Sequence, residues 1–105
     1  MNAIQEIVRE EARLVILKTL ADESDGRLNS SLLGSVLESF GIAKPRAWIH
    51  AELRYLETVG AISVSVLGSV LIASLRPRGL DHVERRAILD GVKRPALRDA
   101  RSEAP

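Results

Sequence analysis

The chain has 105 residues, of which 46% are hydrophobic, and its net charge is +1 at pH 7. This length allows one domain at most, with a core that needs no disulfide or metal. The chain contains no cysteine, which excludes disulfides, thiolate metal sites and cysteine nucleophiles. We also expect no signal peptide, and no apolar run approaches the roughly 18 residues of a membrane span, so the sequence predicts a cytoplasmic protein with no membrane partner.

Charge is distributed unevenly along the chain. Residues 76–105 contain eight basic and five acidic side chains, a net charge of +3, whereas residues 1–27 contain four basic and six acidic side chains. A basic C-terminal third is suited to phosphate contacts. A solvated tail explains the same small excess equally well, and the sequence leaves both interpretations open.

Apolar residues recur at helical spacing from Ile4 to about Ala21, which predicts a first helix. Its apolar surface is wider than one stripe, because residues 14–17 are all apolar. Arg13 and other charged side chains are expected to cover the remaining surface. A face this broad needs more than one neighbour, so the helix either lies at the centre of the domain or also contacts a second subunit.

Two further helices are predicted between a turn at Gly26 and Gly60. Asn29 is a suitable N-cap for a helix over about residues 30–40, which Gly41 ends. Pro45 begins the next helix at its first helical position. Two helices joined by about four residues form a helix-turn-helix arrangement. The third helix has an inner stripe at helical spacing, made of Ile49, Leu53 and Leu56.

After Gly60 the apolar period changes from about 3.6 residues to 2, which predicts two strands at 61–67 and 70–75 joined by a two-residue turn. Pro77 then opens a fourth helix, which is expected to continue until Asp90 and Gly91 end it, with His82 facing outward. The resulting fold class is mainly α with a small β-hairpin, a winged helix-turn-helix, in which the short extended segment after the first helix can add a third strand. A plain three-helix domain with an appended hairpin is the alternative. The domain is predicted at residues 1–91 and a flexible basic tail at 92–105.

The third helix is the candidate DNA-contacting element. The N-terminal part of such a helix reaches base edges in the major groove, and arginine matches guanine through bidentate geometry. The alternative is that these side chains are only the solvated face of an amphipathic helix, with Arg54 paired to Glu57 or Glu52. The predicted DNA-binding residues are Lys44, Arg46, Ala47, His50 and Arg54, with Arg76 and Arg78 adding backbone contacts.

The hairpin is uncharged, unlike the basic face of the third helix, because residues 64–72 contain no charged side chain. Exposed apolar surface at its tip would require a covering partner. A hairpin that is apolar on both faces is either buried on both or is an interface. The sequence therefore predicts a homodimer or a protein partner at the hairpin, through Val66, Leu67, Val70 and Leu71.

The inventory of reactive side chains does not favour an enzyme. His50 and His82 are the two histidines, and neither has a partner at metal-ligand spacing. His50-Ala51-Glu52 matches an H-x-E triplet, but the deaminase signature also requires zinc-binding cysteines. The sequence has no glycine-rich phosphate loop and no G-x-S-x-G motif. We therefore expect a protein without catalytic residues, metal or cofactor.

Several stretches resemble a family of small proteins from Mu-like phages and prophages. They include RAWIHAELRYLETVGAI at 46–62 and RGLDHVERRAILDGVKRP at 78–95, together with GRLNSSLL at 26–33, FGI at 40–42 and GSVLIASL at 68–75. The likeness covers about residues 14–95. It implies a winged-helix protein of transcription-regulator type, a phage or prophage origin and a setting in the host cytoplasm, but it supplies no catalytic residue and no DNA site.

The combined prediction is a non-enzymatic, homodimeric winged helix protein that binds double-stranded DNA. The competing interpretation is a protein-interaction adaptor in phage assembly or DNA packaging, which would use the apolar hairpin and the first helix to bind a phage protein partner.

Overall fold

Helix α1, Ala3–Asp22, passes through the middle of the domain. The computed structural model describes residues 2–97. A capping box begins the helix, because the Asn2 side chain accepts from the Gln5 amide while the Gln5 side chain accepts from the Asn2 amide. Every residue from Ala12 to Leu17 is buried. The second half of α1 is therefore central, which was one of the two positions predicted for it.

Two shorter helices pack on α1 and on each other. Strand β1, Arg27–Asn29, leads into α2, Ser30–Ser39, where the Asn29 side chain accepts from the Leu32 amide at 2.8 Å, as predicted. Gly41 follows α2 with φ at +83°, a conformation that glycine adopts without strain. Helix α3, Arg46–Thr58, has Pro45 as its N-cap rather than as its first residue.

The sheet is antiparallel with the strand order β1-β3-β2. Strands β2, Ile62–Leu67, and β3, Val70–Leu75, form the predicted hairpin, and β1 supplies the predicted third strand. Leu67 pairs with Val70, which leaves Gly68 and Ser69 as a two-residue turn with Gly68 at a φ of +59°. Residues 2–97 thus form four helices and a small three-stranded sheet.

The core lies where one face of the sheet meets the three longer helices. Aliphatic side chains fill it, as expected for a chain with only three aromatic residues. Because branched side chains interdigitate at close-packed density, their positions hold α3 at a defined place against α1 and β2. The largest fully buried aliphatic side chains are Ile16, Leu17, Leu20, Leu33, Leu37, Leu53, Leu56, Ile62 and Leu89.

Helix α4, Pro77–Val83, is shorter than predicted, and the expected ending at Asp90–Gly91 is wrong. His82 was expected to face solvent but is fully buried. Its Nδ1 accepts from the Leu89 amide at 3.0 Å, so Nε2 carries the proton and donates to the Lys93 carbonyl at 2.9 Å. The imidazole thus satisfies the backbone of a non-helical turn, which is why the chain leaves the helix after Val83.

The beginning of the predicted flexible tail is packed against the domain. Val92 is buried, and the Lys93 amide donates to the Glu10 carbonyl of α1 at 3.2 Å. The Lys93 ammonium also lies 2.8 Å from a carboxylate oxygen of Glu11. These contacts correct the prediction for residues 92–95, because a buried valine and a backbone bond to α1 hold this segment. The tail beyond residue 97 lies outside the described residues.

Tyr55 of α3 holds the same C-terminal segment, since its hydroxyl donates to the Asp90 carbonyl at 2.7 Å. We expect Tyr55→Phe to lower the free energy of unfolding by about 0.5 to 1.5 kcal/mol, because only this hydrogen bond is lost. Urea denaturation followed by circular dichroism would measure the change. Thr58→Val is the control, because its hydroxyl bonds only to the preceding turn of α3, at the Arg54 carbonyl. Equal stabilities for Tyr55→Phe and the unchanged protein would contradict the prediction.

Candidate nucleic-acid interface

Helix α3 presents one face to the core and the other to solvent. The predicted inner stripe of Ile49, Leu53 and Leu56 is buried. The outer ridge follows the spacing i, i+4, i+7 and i+11, and two of its four residues are alanines, which allow another surface to approach the helix backbone closely. The exposed ridge consists of Ala47, Ala51, Arg54 and Thr58.

Both carboxylates of α3 are occupied by arginines. Glu52 is buried and accepts from Arg13 Nε at 2.7 Å, with Arg9 Nε 3.8 Å from its other oxygen. Glu57 lies 2.9 Å from Arg54 Nη1, so Glu57 is the partner observed among the two that the sequence left open. Because Glu52 is withdrawn into the core, the exposed side of α3 keeps a positive balance.

Lys44 and Arg46 border a groove between α2, the start of α3 and the hairpin turn. The groove has a volume of about 350 Å³. Ser31, Ser35 and Ser69 contribute to its lining, and Glu38 contributes a carboxylate. Cationic groups and hydroxyl donors are the side chains that proteins use to contact phosphate and sugar oxygens. The groove therefore brings Lys44 and Arg46 beside polar groups of α2 and the hairpin turn.

His50 is half-buried on the same side of the molecule. Its Nε2 lies 3.1 Å from Ser30 Oγ, and that oxygen also accepts from the Leu71 amide of β3 at 3.0 Å. Burial, followed by the positive charges of Arg46 and Arg54, holds the pKa of His50 below its ordinary value of 6.5. The imidazole is therefore mainly neutral at pH 7.

The two arginines predicted for backbone contacts stand apart from Lys44 and Arg46. Arg78 Nε donates to the Val59 carbonyl, 2.9 Å away, at the C-terminal end of α3. Arg76 is exposed and precedes α4 directly. A helix of 13 residues is about 20 Å long, so Arg78 and Arg46 mark opposite ends of α3.

The hairpin residues predicted as an interface divide into two groups. Val66 and Leu67 are 65% and 64% exposed at the tip. Val70 is half-buried, and Leu71 belongs to the core. The expectation of an apolar interface is therefore wrong for Leu71, because its side of β3 faces the helices. Val66 and Leu67 are the members of the set that a partner can reach.

Comparison with known proteins places the chain in a family. It is 34% identical, over 95 residues, to the "Uncharacterized protein gp26" of Escherichia phage Mu. The alignment spans 90% of this chain and 98% of the phage protein. This chain belongs to that phage protein family. No family model matches the chain, and no solved structure matches it.

In this member of the phage family, the polar residues that hold the candidate interface in place are not the ones that the sequence pattern indicated. Ser30 is buried and joins α2, α3 and β3, yet a serine at a helix start gives no signal of such a role. Arg13 was expected on the surface but is buried against Glu52. Its position directly before the apolar run at residues 14–17 was the signal that could have revealed it.

Residues 2–97 lack two features that other kinds of site require. No group of three or more metal-ligating side chains is found in this part of the chain. None of its helices combines the length and the apolar character needed to cross a membrane.

Proposed function

We propose that this phage-family protein is a winged helix-turn-helix protein that binds double-stranded DNA without catalysing a reaction. Helices α2 and α3 would form the helix-turn-helix, and the β2–β3 hairpin would form the wing. The observation that carries the proposal is the outer side of α3. There two alanines leave room for a groove edge, Arg46 and Arg54 supply cations, and Glu52 is withdrawn into the core.

The start of α3 adds support. Pro45 occupies the N-cap and provides no side-chain hydrogen bond, so the first amides of the helix are not capped by a side chain. Uncapped amides at a helix N-terminus are donors for phosphate oxygens, and the helix dipole favours the negative charge. Lys44 and the groove beside Arg46 would place a phosphate near these amides, which leaves Arg46, Ala47, His50 and Arg54 to enter the DNA groove between its flanking phosphates.

Membership of a phage protein family supports a proposal about the biological setting. We propose that the protein acts in the cytoplasm of a bacterial host, where a small non-enzymatic DNA-binding protein is suited to transcriptional regulation. A homodimer would present two copies of α3 to a duplex. Arg76 and Arg78 would then add backbone contacts at the other end of α3.

A titration at low salt tests the proposal. We expect the protein to bind a random-sequence duplex at 50 mM salt, with an affinity that falls as the salt concentration rises. Arg46→Ala combined with Arg54→Ala should weaken binding about tenfold or more. The same change should reduce the magnitude of the slope of log K against log salt by about one to two, because a protein that neutralises fewer phosphates releases fewer counterions on binding. Fluorescence anisotropy of a labelled duplex measures both quantities.

The matched control removes two cations from other surfaces, through Lys18→Ala combined with Arg86→Ala. Lys18 is exposed on α1, and Arg86, which follows α4, pairs with Asp81 and Glu84. Net charge falls equally in both double variants. A loss of duplex affinity that is confined to the α3 variant therefore identifies α3 as the interface. Absence of duplex binding at 50 mM salt would refute the DNA-binding proposal.

The exposed apolar side chains favour a second candidate, a protein-interaction adaptor in phage assembly or DNA packaging. Val66 and Leu67 at the hairpin tip and Ile4 and Ile7 on α1 are all exposed. Apolar surface of this kind is a common feature of protein interfaces. A protein that binds no duplex but forms a dimer by light scattering would support this candidate over the first.

A further inference from the structure

A chain of hydrogen bonds connects the three elements that surround the proposed DNA site. The Leu71 amide of β3 donates to Ser30 Oγ at 3.0 Å, and the same oxygen lies 3.1 Å from His50 Nε2. Ser30 is the first residue of α2 and is itself buried. A hydroxyl that accepts from a fixed backbone amide has its remaining bonding direction set, so it holds the imidazole of His50 in one orientation.

The two charged groups that act on His50 are both positive. Arg46 and Arg54 lie one turn before and one turn after it on α3, and both oppose a positive charge on the ring. The nearest charged residue of α2 is Glu38, which lies eight residues, or about 12 Å, along the helix from Ser30. Strands β2 and β3 contain no ionisable side chain. In the free protein the Glu57 carboxylate of α3 pairs with Arg54 at 2.9 Å, yet Arg46 and Arg54 both still oppose a positive charge on the His50 ring.

We infer that Ser30 and His50 act as a unit in the proposed DNA site, in which Ser30 positions the imidazole and His50 takes up a proton when duplex DNA binds. This inference rests on the proposed function. Phosphates that approach Arg46 and Arg54 offset the charges that oppose protonation, and they add negative charge beside the ring. The duplex therefore favours the imidazolium, which can donate from the ring nitrogen that does not contact Ser30.

The sign of the pH effect follows from linkage. If the complex holds more protons than the free protein, its affinity rises as the pH falls. The change is at most about tenfold per pH unit for one proton, and it occurs between the pKa of His50 in the free protein and its pKa in the complex. Salt reduces the effect, since it screens the phosphates from the ring.

The experiment measures the dissociation constant of a labelled random-sequence duplex at pH 8 and pH 6 in 50 mM salt. We expect the unchanged protein to bind about three- to tenfold more tightly at pH 6. His50→Gln should bind within about twofold of the same affinity at both pH values, because the amide does not titrate. Circular dichroism at each pH verifies that both proteins are folded.

A double-mutant cycle separates positioning from general support of the fold. Ser30→Ala should reduce the ratio of the dissociation constants at pH 8 and pH 6 by at least half, since the His50 ring is then free to rotate. In a protein that also carries His50→Ala, Ser30→Ala should have no further effect on affinity. Ser30→Thr retains the hydroxyl and should keep the response. Measurement at 10 °C keeps the less stable variants folded.

The possible results lead to different conclusions. Duplex binding with equal affinity at pH 8 and pH 6 would overturn this inference and leave DNA binding in place. Additive losses for Ser30→Ala and His50→Ala would overturn the positioning role of Ser30. Absence of binding at both pH values would refute the proposed function and the inference together.

Discussion

Replacing Glu52 by alanine is expected to lower the free energy of unfolding by about 3 to 5 kcal/mol, the range measured when one partner of a buried ion pair is removed. Only 7% of the Arg13 side chain and 3% of the Glu52 side chain are exposed. Without the carboxylate, Arg13 keeps its bond to the Gly91 carbonyl at 2.7 Å and its position 3.7 Å from the Tyr55 ring centroid. Neither contact neutralises a guanidinium that has been removed from water.

Glu57→Ala is the matched control, since it removes the same side chain from the same helix. Glu57 pairs with Arg54 in a solvated position, where such pairs contribute about 0 to 1 kcal/mol. Replacing both buried partners, through Arg13→Met combined with Glu52→Leu, should recover most of the stability because no uncompensated charge remains. Chemical denaturation at pH 7 measures all three variants. Similar losses of unfolding free energy for Glu52→Ala and Glu57→Ala would show that the buried ion pair contributes no more to stability than the solvated one.

Two glycine-to-alanine changes are expected to act in opposite directions. Gly79→Ala in α4 should lower the free energy of unfolding by about 1 to 3 kcal/mol, as overpacking does. A Cβ at this position would collide with the Ala61 carbonyl oxygen and would lie 2.9 Å from a methyl carbon of Leu75. The carbonyl is part of the backbone, so α4 would have to move away from the start of the hairpin.

Gly34→Ala in α2 is the companion change and should raise the free energy of unfolding by about 0.5 to 1 kcal/mol. A Cβ there would meet Ile49 at 3.9 Å, an ordinary contact, while alanine reduces the conformational entropy of the unfolded chain. Thermal unfolding of the two variants beside the unchanged protein measures whether each substitution raises or lowers the free energy of unfolding. A destabilised Gly34→Ala or a stabilised Gly79→Ala would contradict the packing described for these helices.

The sequence was most informative where one physical rule dominates. Asn29 precedes an apolar helical pattern and caps α2, and the change of period after Gly60 marks the hairpin. Around α4 it was less informative. The apolar spacing continued past Val83, but the buried imidazole of His82 bonds to the backbone of the following turn and holds it in a non-helical conformation.

For the candidate site, the sequence indicated the residues of α3 but not their surroundings. Charged side chains at positions 44, 46 and 54 follow from reading the helix. That Ser30 bonds to His50, and that Glu52 points inward to Arg13, depends on partners 20 and 39 residues away. Hydrogen bonds between distant residues have no local pattern, so they could not be predicted from spacing.

By itself the sequence determined the order of the helices and strands, the aliphatic core and the cationic side of α3, because periodicity, capping residues and turn residues act over a few positions. Tertiary structure decided which charges are exposed, where the C-terminal segment packs and which hairpin residues a partner can reach. The physical reason is desolvation. A charge or amide that leaves water must find a partner, and only the assembled fold determines which group is near enough to serve as one.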